Sequence, residues 1–194
     1  MDDLTAFILA GGKSSRMGRD KAFVQLEGVT LLHRALVLAR TLTPAVWIVC
    51  DPPKFTSINP AIGDVHPGHG PLGGIHAALN ASETDLNLIL AVDLPFLETK
   101  FLEYLVAEAR TTHATVTVPE SGGRLHPLCA VYRRHFAGFA EKALLAGKNK
   151  IDLLFAEVET RVISQPELSR MGFSDRIFHN LNTLADVEAL GGRA

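Results

Sequence analysis

Short apolar runs stopped by glycine or proline alternate with apolar stripes at helical spacing through the first two-thirds of the chain. Residues 5–10 are apolar and end at Gly11-Gly12, which predicts a buried strand halted by glycine. Residues 46–50 and the β-branched stretch 114–118 read the same way, and LNLILAV at 86–92 is the clearest buried strand of all. A polar loop is expected over 11–21 and a short strand over 23–26. Leu32, Ala35, Leu36 and Ala39 share one helical face behind Thr30, a residue suited to cap that helix. Further helices are predicted over 75–81 and from a Thr99 cap to residue 110. The segment 51–74 is rich in proline and glycine and reads as one long loop, of a length that compact domains keep for function or leave disordered. The last third is less regular, with strands expected over 128–132 and 158–163 and a helix over 136–145. Residues 177–180 then lead into Asn182-Thr183 and a final helix reaching residue 190.

Alternating strands and helices predict an α/β fold, a mainly parallel sheet with helices on both faces. No repeat, low-complexity tract or linker divides the chain, so one domain over residues 1–194 is expected. In such sheets ligands bind beyond the carboxyl ends of the strands, which directs the search for chemistry to the loops that follow them. At 47% hydrophobic residues the chain can bury a sizeable core. A net charge of -2 carries no basic surplus for a nucleic acid partner, although a local phosphate site stays open. Cys50 and Cys129 are far apart and fit no metal spacing, so both read as small core residues in a reducing compartment. Met1-Asp2-Asp3 lacks the basic start of a signal peptide, and no stretch approaches the ~18 apolar residues of a membrane span. A cytoplasmic protein without membrane contact is expected.

Four motifs carry candidate chemistry. The first, Leu9-Ala10-Gly11-Gly12-Lys13-Ser14-Ser15-Arg16-Met17-Gly18 with Asp20-Lys21, follows the first strand. Its glycines let the backbone approach a ligand, and Arg16 and Lys21 can reach a polyphosphate. It is neither of the better-known phosphate loops: a Walker A pattern needs glycine where Phe7 stands, and the dinucleotide fingerprint needs glycine where Lys13 stands. The other reading is a solvated connection with incidental charges. The second motif, Asp93-Leu94-Pro95, ends the strongest strand. Its carboxylate suits magnesium, which takes one or two carboxylates plus substrate phosphates, and equally a turn aspartate bonded to backbone amides. The third motif runs from Asp64 to Gly74 through Gly70-Pro71-Leu72-Gly73. Asp64 can accept from the adjacent N1 hydrogen and amine of guanine, while His66, His69 and His76 lack the acidic or cysteine ligand of a convincing metal set. The fourth, Asn180-Leu181-Asn182-Thr183, places both asparagines on one side if extended, where they bind substrate or end a strand and cap the last helix.

Taken in order, these motifs resemble the molybdenum cofactor guanylyltransferases, within the nucleotidyltransferases that have a single Rossmann-like domain, and the likeness spans nearly the whole chain. The resemblance implies magnesium as cofactor, GTP and molybdopterin as substrates, and GMP transfer to the pterin with release of pyrophosphate. It lays Leu9, Ala10, Gly11 and Gly12 along the nucleotide and brings Lys21 to its phosphates. It makes Asp64 the guanine-reading carboxylate, Asp93 the magnesium ligand, and Asn180 and Asn182 groups on the pterin side. Arg16, Lys21 and Asp93 then form the catalytic set. Residues 51–63 match poorly, so a further base contact there stays unplaced, with Asp51 as a candidate; the cofactor side near 119–127 offers Arg124 as a phosphate contact. Other cofactor-biosynthesis proteins and recipient molybdoenzymes are the protein partners such an activity implies. Two rivals fit parts of the pattern. One is a cytidylyltransferase or a sugar- or polyol-phosphate nucleotidyltransferase, against which Gly11 counts, because cytidylyl members tend to carry alanine there. The other is a non-catalytic nucleotide-binding regulator, against which the presence of Asp93, Lys21 and Arg16 together counts.

Overall fold

The computed structural model describes residues 3–11, 20–50, 60–63, 69–181 and 186. Its central sheet has the order β10-β7-β9-β6-β1-β4-β5. The members are β1 (Leu4–Leu9), β4 (Val46–Val49), β5 (Ala61–Ile62), β6 (Leu86–Ala91), β7 (Val116–Ser121), β9 (Cys129–Arg133) and β10 (Thr160–Ile163). β8 (Arg124–Leu125) pairs back onto β7, and β2 (Gln25–Leu26) with β3 (Val29–Thr30) makes a separate hairpin. β1 is parallel to both β4 and β6, β4 to β5, and β7 to β10. β9 alone on this path runs the other way, antiparallel to β6 and β7. The mainly parallel sheet expected from the sequence is therefore present, with one reversed strand in it.

Alternation along the strands sorts the core into two layers, because successive side chains point to opposite faces. Ala6 and Ile8 join Leu88, Leu90 and Ile48 under α1 (Leu31–Arg40) and α3 (Thr99–Thr111). Phe7 and Leu9 join Ile89 and Val118 under α2 (Pro71–Ala81), α4 (Phe136–Leu145) and α5 (Ile151–Leu154). Helices thus cover both faces, and β1 and β6 read as largely apolar runs, Thr5 and Asn87 apart, because both of their faces are buried. Among the described residues no helix is long and apolar enough to cross a membrane.

Several boundaries differ from the sequence reading for identifiable reasons. α2 starts at Pro71 rather than at 75, so the Pro-Leu-Gly-Gly stretch is helix and not loop. Proline at the first helical position is pre-set for the turn. Gly70 before it has φ 66° and ψ -156°, a backbone state that favours glycine. Gly73 and Gly74 are buried where the helix closes on β1, and a Cβ on Gly74 would already touch Leu9 Cδ2 at 3.5 Å. Thr99 is the first residue of α3 and not its cap; Glu98 holds that position and makes no side-chain cap bond. Thr30 does cap α1, accepting from His33 N. The strand expected over 23–26 is a 3-10 turn (Lys21–Phe23) followed by the two residues of β2. Residues 177–180 are not a simple extended run, since a 3-10 turn (Asp175–Phe178) occupies their start. α5, α6 (Gln165–Arg170) and β8 are too short for periodicity to reveal. The final helix, Asp186 apart, lies outside the described residues.

Phe101 of α3 anchors the layer beneath the site. It is fully buried and meets Phe173 and Phe178 edge-on, with ring centroids at 5.4 and 5.3 Å. Phe101→Ala removes a core ring and leaves a cavity, so we expect a loss of about 3–5 kcal/mol in a urea unfolding titration with unchanged m-value.

Candidate active site

Four parallel strands, β6, β1, β4 and β5, end together, and their ladder continues past the ends. Ala10 N donates to Val49 O at 3.0 Å, Cys50 N to Ile62 O at 3.0 Å, and Val92 N to Leu9 O at 3.3 Å. Ala10-Gly11 therefore lies between Cys50 on one side and Val92-Asp93 on the other, at the carboxyl edge of the sheet. This is where an open parallel sheet offers unpaired loop backbone to a ligand. Leu9 and Ala10 are buried. Gly11 is not required by the fold: a Cβ there would meet Cys50 Cα at 3.6 Å and Val49 O at 3.7 Å, ordinary contacts.

Lys21 reaches this edge through local structure of its own. Asp20 caps the 3-10 turn, accepting from Ala22 N at 3.2 Å. Ala22, Val24 and Leu26 are buried beside it, and Leu31 N donates to Val24 O at 2.9 Å, so the segment is pinned to the start of α1. Lys21 Nζ then donates to Asp93 Oδ2 at 2.9 Å. The two side chains are 20% and 18% exposed, half-sheltered but open to a ligand. The Asp93 carboxylate is thus engaged by a cation from a distant motif. Its backbone carbonyl accepts from Leu181 N at 3.1 Å, which brings the Asn180-Leu181 segment to the same turn. Leu181 is buried and Asn180 exposed, so the first asparagine stands at the rim.

Of the residues singled out in the sequence, Leu9, Ala10, Gly11, Lys21, Asp93 and Asn180 come to this edge. Gly12, Arg16, Asp51, Asp64, His66 and Asn182 lie outside the described residues. His76 is buried in α2 with Nε2 2.8 Å from Asn80 Nδ2, and His69 Nδ1 lies 3.1 Å from Asn149 Oδ1. Among the described residues no three His, Cys, Asp or Glu side chains form a metal cluster. One half-sheltered carboxylate suits a hard cation that brings most of its oxygen ligands with a bound substrate. Both cysteines are buried, and burial pushes the Cys129 thiol well up, which leaves it an inert core group. Arg124 is exposed on β8. Two features escaped the sequence reading. Asp20 acts as a cap, and Ser121, His126, Gln165, Asp175 and Phe178 build a wall from three separate segments. No spacing rule links residues that far apart.

The sequence matches the MobA-like NTP transferase domain family over residues 6–161. It is 34% identical over 191 residues to a probable molybdenum cofactor guanylyltransferase of Carboxydothermus hydrogenoformans, covering 98% of this chain and 96% of that protein. The fold superposes on molybdopterin-guanine dinucleotide biosynthesis protein A from Archaeoglobus fulgidus with TM-score 0.83 and 26% identity, over 96% of each chain. It also superposes on 2-C-methyl-D-erythritol 4-phosphate cytidylyltransferase from Thermus thermophilus, with TM-score 0.67, 17% identity, and 95% and 97% coverage. That last likeness is one of fold.

Gly11→Ala tests the local geometry. The added methyl makes ordinary contacts and removes backbone freedom from the unfolded chain, so stability should stay level or rise by up to about 1 kcal/mol. A fall of more than about 1 kcal/mol in chemical denaturation would show that the glycine is needed by the fold after all.

Proposed function

The chain belongs to the family of MobA-like NTP transferase domains, and from that premise we propose that it transfers GMP from GTP to molybdopterin. The products are the guanine dinucleotide form of the cofactor and pyrophosphate. The observation that carries this reading is the 2.9 Å pairing of Lys21 with Asp93 beside Ala10-Gly11, on the carboxyl edge of the sheet. It places one cation and one carboxylate together where a triphosphate would lie, the minimum that phosphoryl transfer asks of a protein.

In this reading an oxygen of the pterin's terminal phosphate attacks the α-phosphorus of GTP. A new P–O bond forms in line with the breaking bond to the β-phosphate, and pyrophosphate leaves with that electron pair. The attacking phosphate is already ionised at neutral pH, so the site has no task for a general base. Leu9, Ala10, Gly11 and Gly12 run along the nucleotide. Lys21 offsets charge that develops on the transferred group, and Arg16 steadies the departing pyrophosphate. Magnesium, when bound, supplies further charge neutralisation on the phosphates, and Asp93 is the residue that would hold it. Asp64 accepts from guanine, and Asn180 and Asn182 face the pterin.

Two measurements test the assignment. Asp93→Asn keeps the shape of the turn and removes the charge. It should leave the fold intact and lower turnover at least about 100-fold, comparable to the loss of one strong electrostatic stabiliser. Near-parental, magnesium-dependent turnover in this variant would remove Asp93 from the reaction. Base choice is read from catalytic efficiencies for GTP, CTP and ATP in the parent and in Asp64→Asn. Adenine and cytosine each set a lone pair beside a single amine, so a carboxylate built for guanine loses a partner with either. The mismatch should cost at least about ten-fold. A parent that prefers CTP refutes guanylyl transfer, and ratios unchanged in Asp64→Asn move base reading to another group.

A further inference from the structure

A second wall of the cleft stands on the far side of Asp93 from Ala10-Gly11. β7 and β6 are both antiparallel to β9 and so run the same way, which brings the β7–β8 hairpin out at the Asp93 edge. Ala91 N donates to Leu128 O at 2.7 Å, holding the return of this hairpin against the end of β6. Facing the hairpin is the 175–178 turn. Ser121 Oγ donates to Asp175 Oδ1 and Gln165 Nε2 to Asp175 Oδ2, each at 2.9 Å, and Gly122 N donates to Gln165 Oε1 at 2.9 Å. One contact across this seam is a ring stack: His126 lies flat on Phe178, with centroids 4.2 Å apart and planes at 12°. Three residues beyond Phe178, Leu181 N bonds to the carbonyl of Asp93. Nε2 of His126 is buried and, among the described residues, has no hydrogen-bond partner.

We propose that His126 is a positioning residue for the acceptor half of the site: as a neutral ring stacked on Phe178, it holds the turn that carries Asn180 against the Asp93 edge. This rests on the guanylyl-transfer reading, which makes that half of the cleft the pterin's. The imidazole touches no reacting atom. It acts through Phe178, which also meets Phe101 of α3 edge-on, so the turn is clamped between the hairpin and the core.

The neutral form matters because a proton on Nε2 would put a charged donor where no acceptor waits among the described residues. Burial lowers the ring's pKa below its ordinary 6.5, outweighing a backbone hydrogen bond to Ser121 and the Asp175 carboxylate, which both favour the charged form. Asp175 faces the ring from the turn and is itself held by Ser121 and Gln165. Glu120 and Arg124 belong to the ring's own hairpin, and Arg176 of the turn is drawn over the Phe96 ring at 5.0 Å. The wall is therefore intact above the ordinary value of 6.5 and loosens as pH falls from there through the lowered one.

The test is steady-state kinetics with magnesium, GTP and molybdopterin at about pH 7.5 and about pH 5, for the parent, His126→Gln and His126→Phe. His126→Gln loses the stack, so at the higher pH the KM for molybdopterin should rise about three- to ten-fold while that for GTP moves less than about two-fold. His126→Phe keeps a ring on Phe178 and cannot be protonated. It should hold near-parental KM values and lose the parent's rise in pterin KM at the lower pH. Equal changes in both KM values, or a fall in kcat alone, overturn the proposal. So does a pH response in His126→Phe that matches the parent. A parent that exchanges pyrophosphate with GTP yet transfers nothing to molybdopterin refutes the acceptor assignment, and this inference with it. A parent that uses CTP refutes only the choice of base, and the same KM comparison then decides the role of His126.

Discussion

The parallel pairing of β1 with β6 is the constraint on which the rest depends. Its register sets Leu9 opposite Ala91, so both strands end at one level. Ala10-Gly11 and the Asp93 turn are neighbours for that reason, though more than 80 positions separate them in the chain. Burial enforces the register. A slip of one residue would turn Ala6 and Ile8 toward α2 and Phe7 and Leu9 toward α1, misplacing both layers of the core at once. The site is thus held by the same apolar contacts that hold the fold.

Around that pair the edge is built from two sides by different means. On the side of Ala10-Gly11, local structure does the placing: the Asp20 cap and the buried Ala22, Val24 and Leu26 aim Lys21 back at Asp93. On the other side the means are long-range. The reversed β9 lets β7 run parallel in direction to β6 without neighbouring it, and the β7–β8 hairpin emerges beside the Asp93 turn. The last described residues then cross from the hairpin wall to that turn, joined by Leu181 to Asp93. One edge of one sheet therefore presents two walls, a layout suited to bringing two anionic substrates together in line.

The strands that build this edge were legible because they are buried on both faces. Burial of that kind leaves a largely apolar run, broken only by Thr5 in Leu4–Leu9 and by Asn87 in Leu86–Ala91, and Gly11-Gly12 or Asp93-Leu94-Pro95 marks where each one stops. The motifs at those stops were legible for the same reason: chemistry placed after a strand must be written directly after its apolar run. Proline and glycine misled the reading over 71–74, where they start a helix and let it pack closely. Composition signals flexibility there because it carries no information about the Leu9 side chain the helix comes to rest on.

Composition, periodicity and motif order were enough to settle the class of fold, the central strands, and the candidate groups Leu9, Ala10, Gly11, Lys21 and Asp93, since each of these is expressed in consecutive residues. The reversal of β9, the Lys21–Asp93 ion pair, the stacking of His126 on Phe178 and the bond from Leu181 to Asp93 belong to the tertiary structure. Each joins segments far apart in the chain, and hydrogen-bond direction and ring stacking leave no periodic trace in either partner. The free energy that selects such contacts is shared between residues that meet only once the sheet has closed.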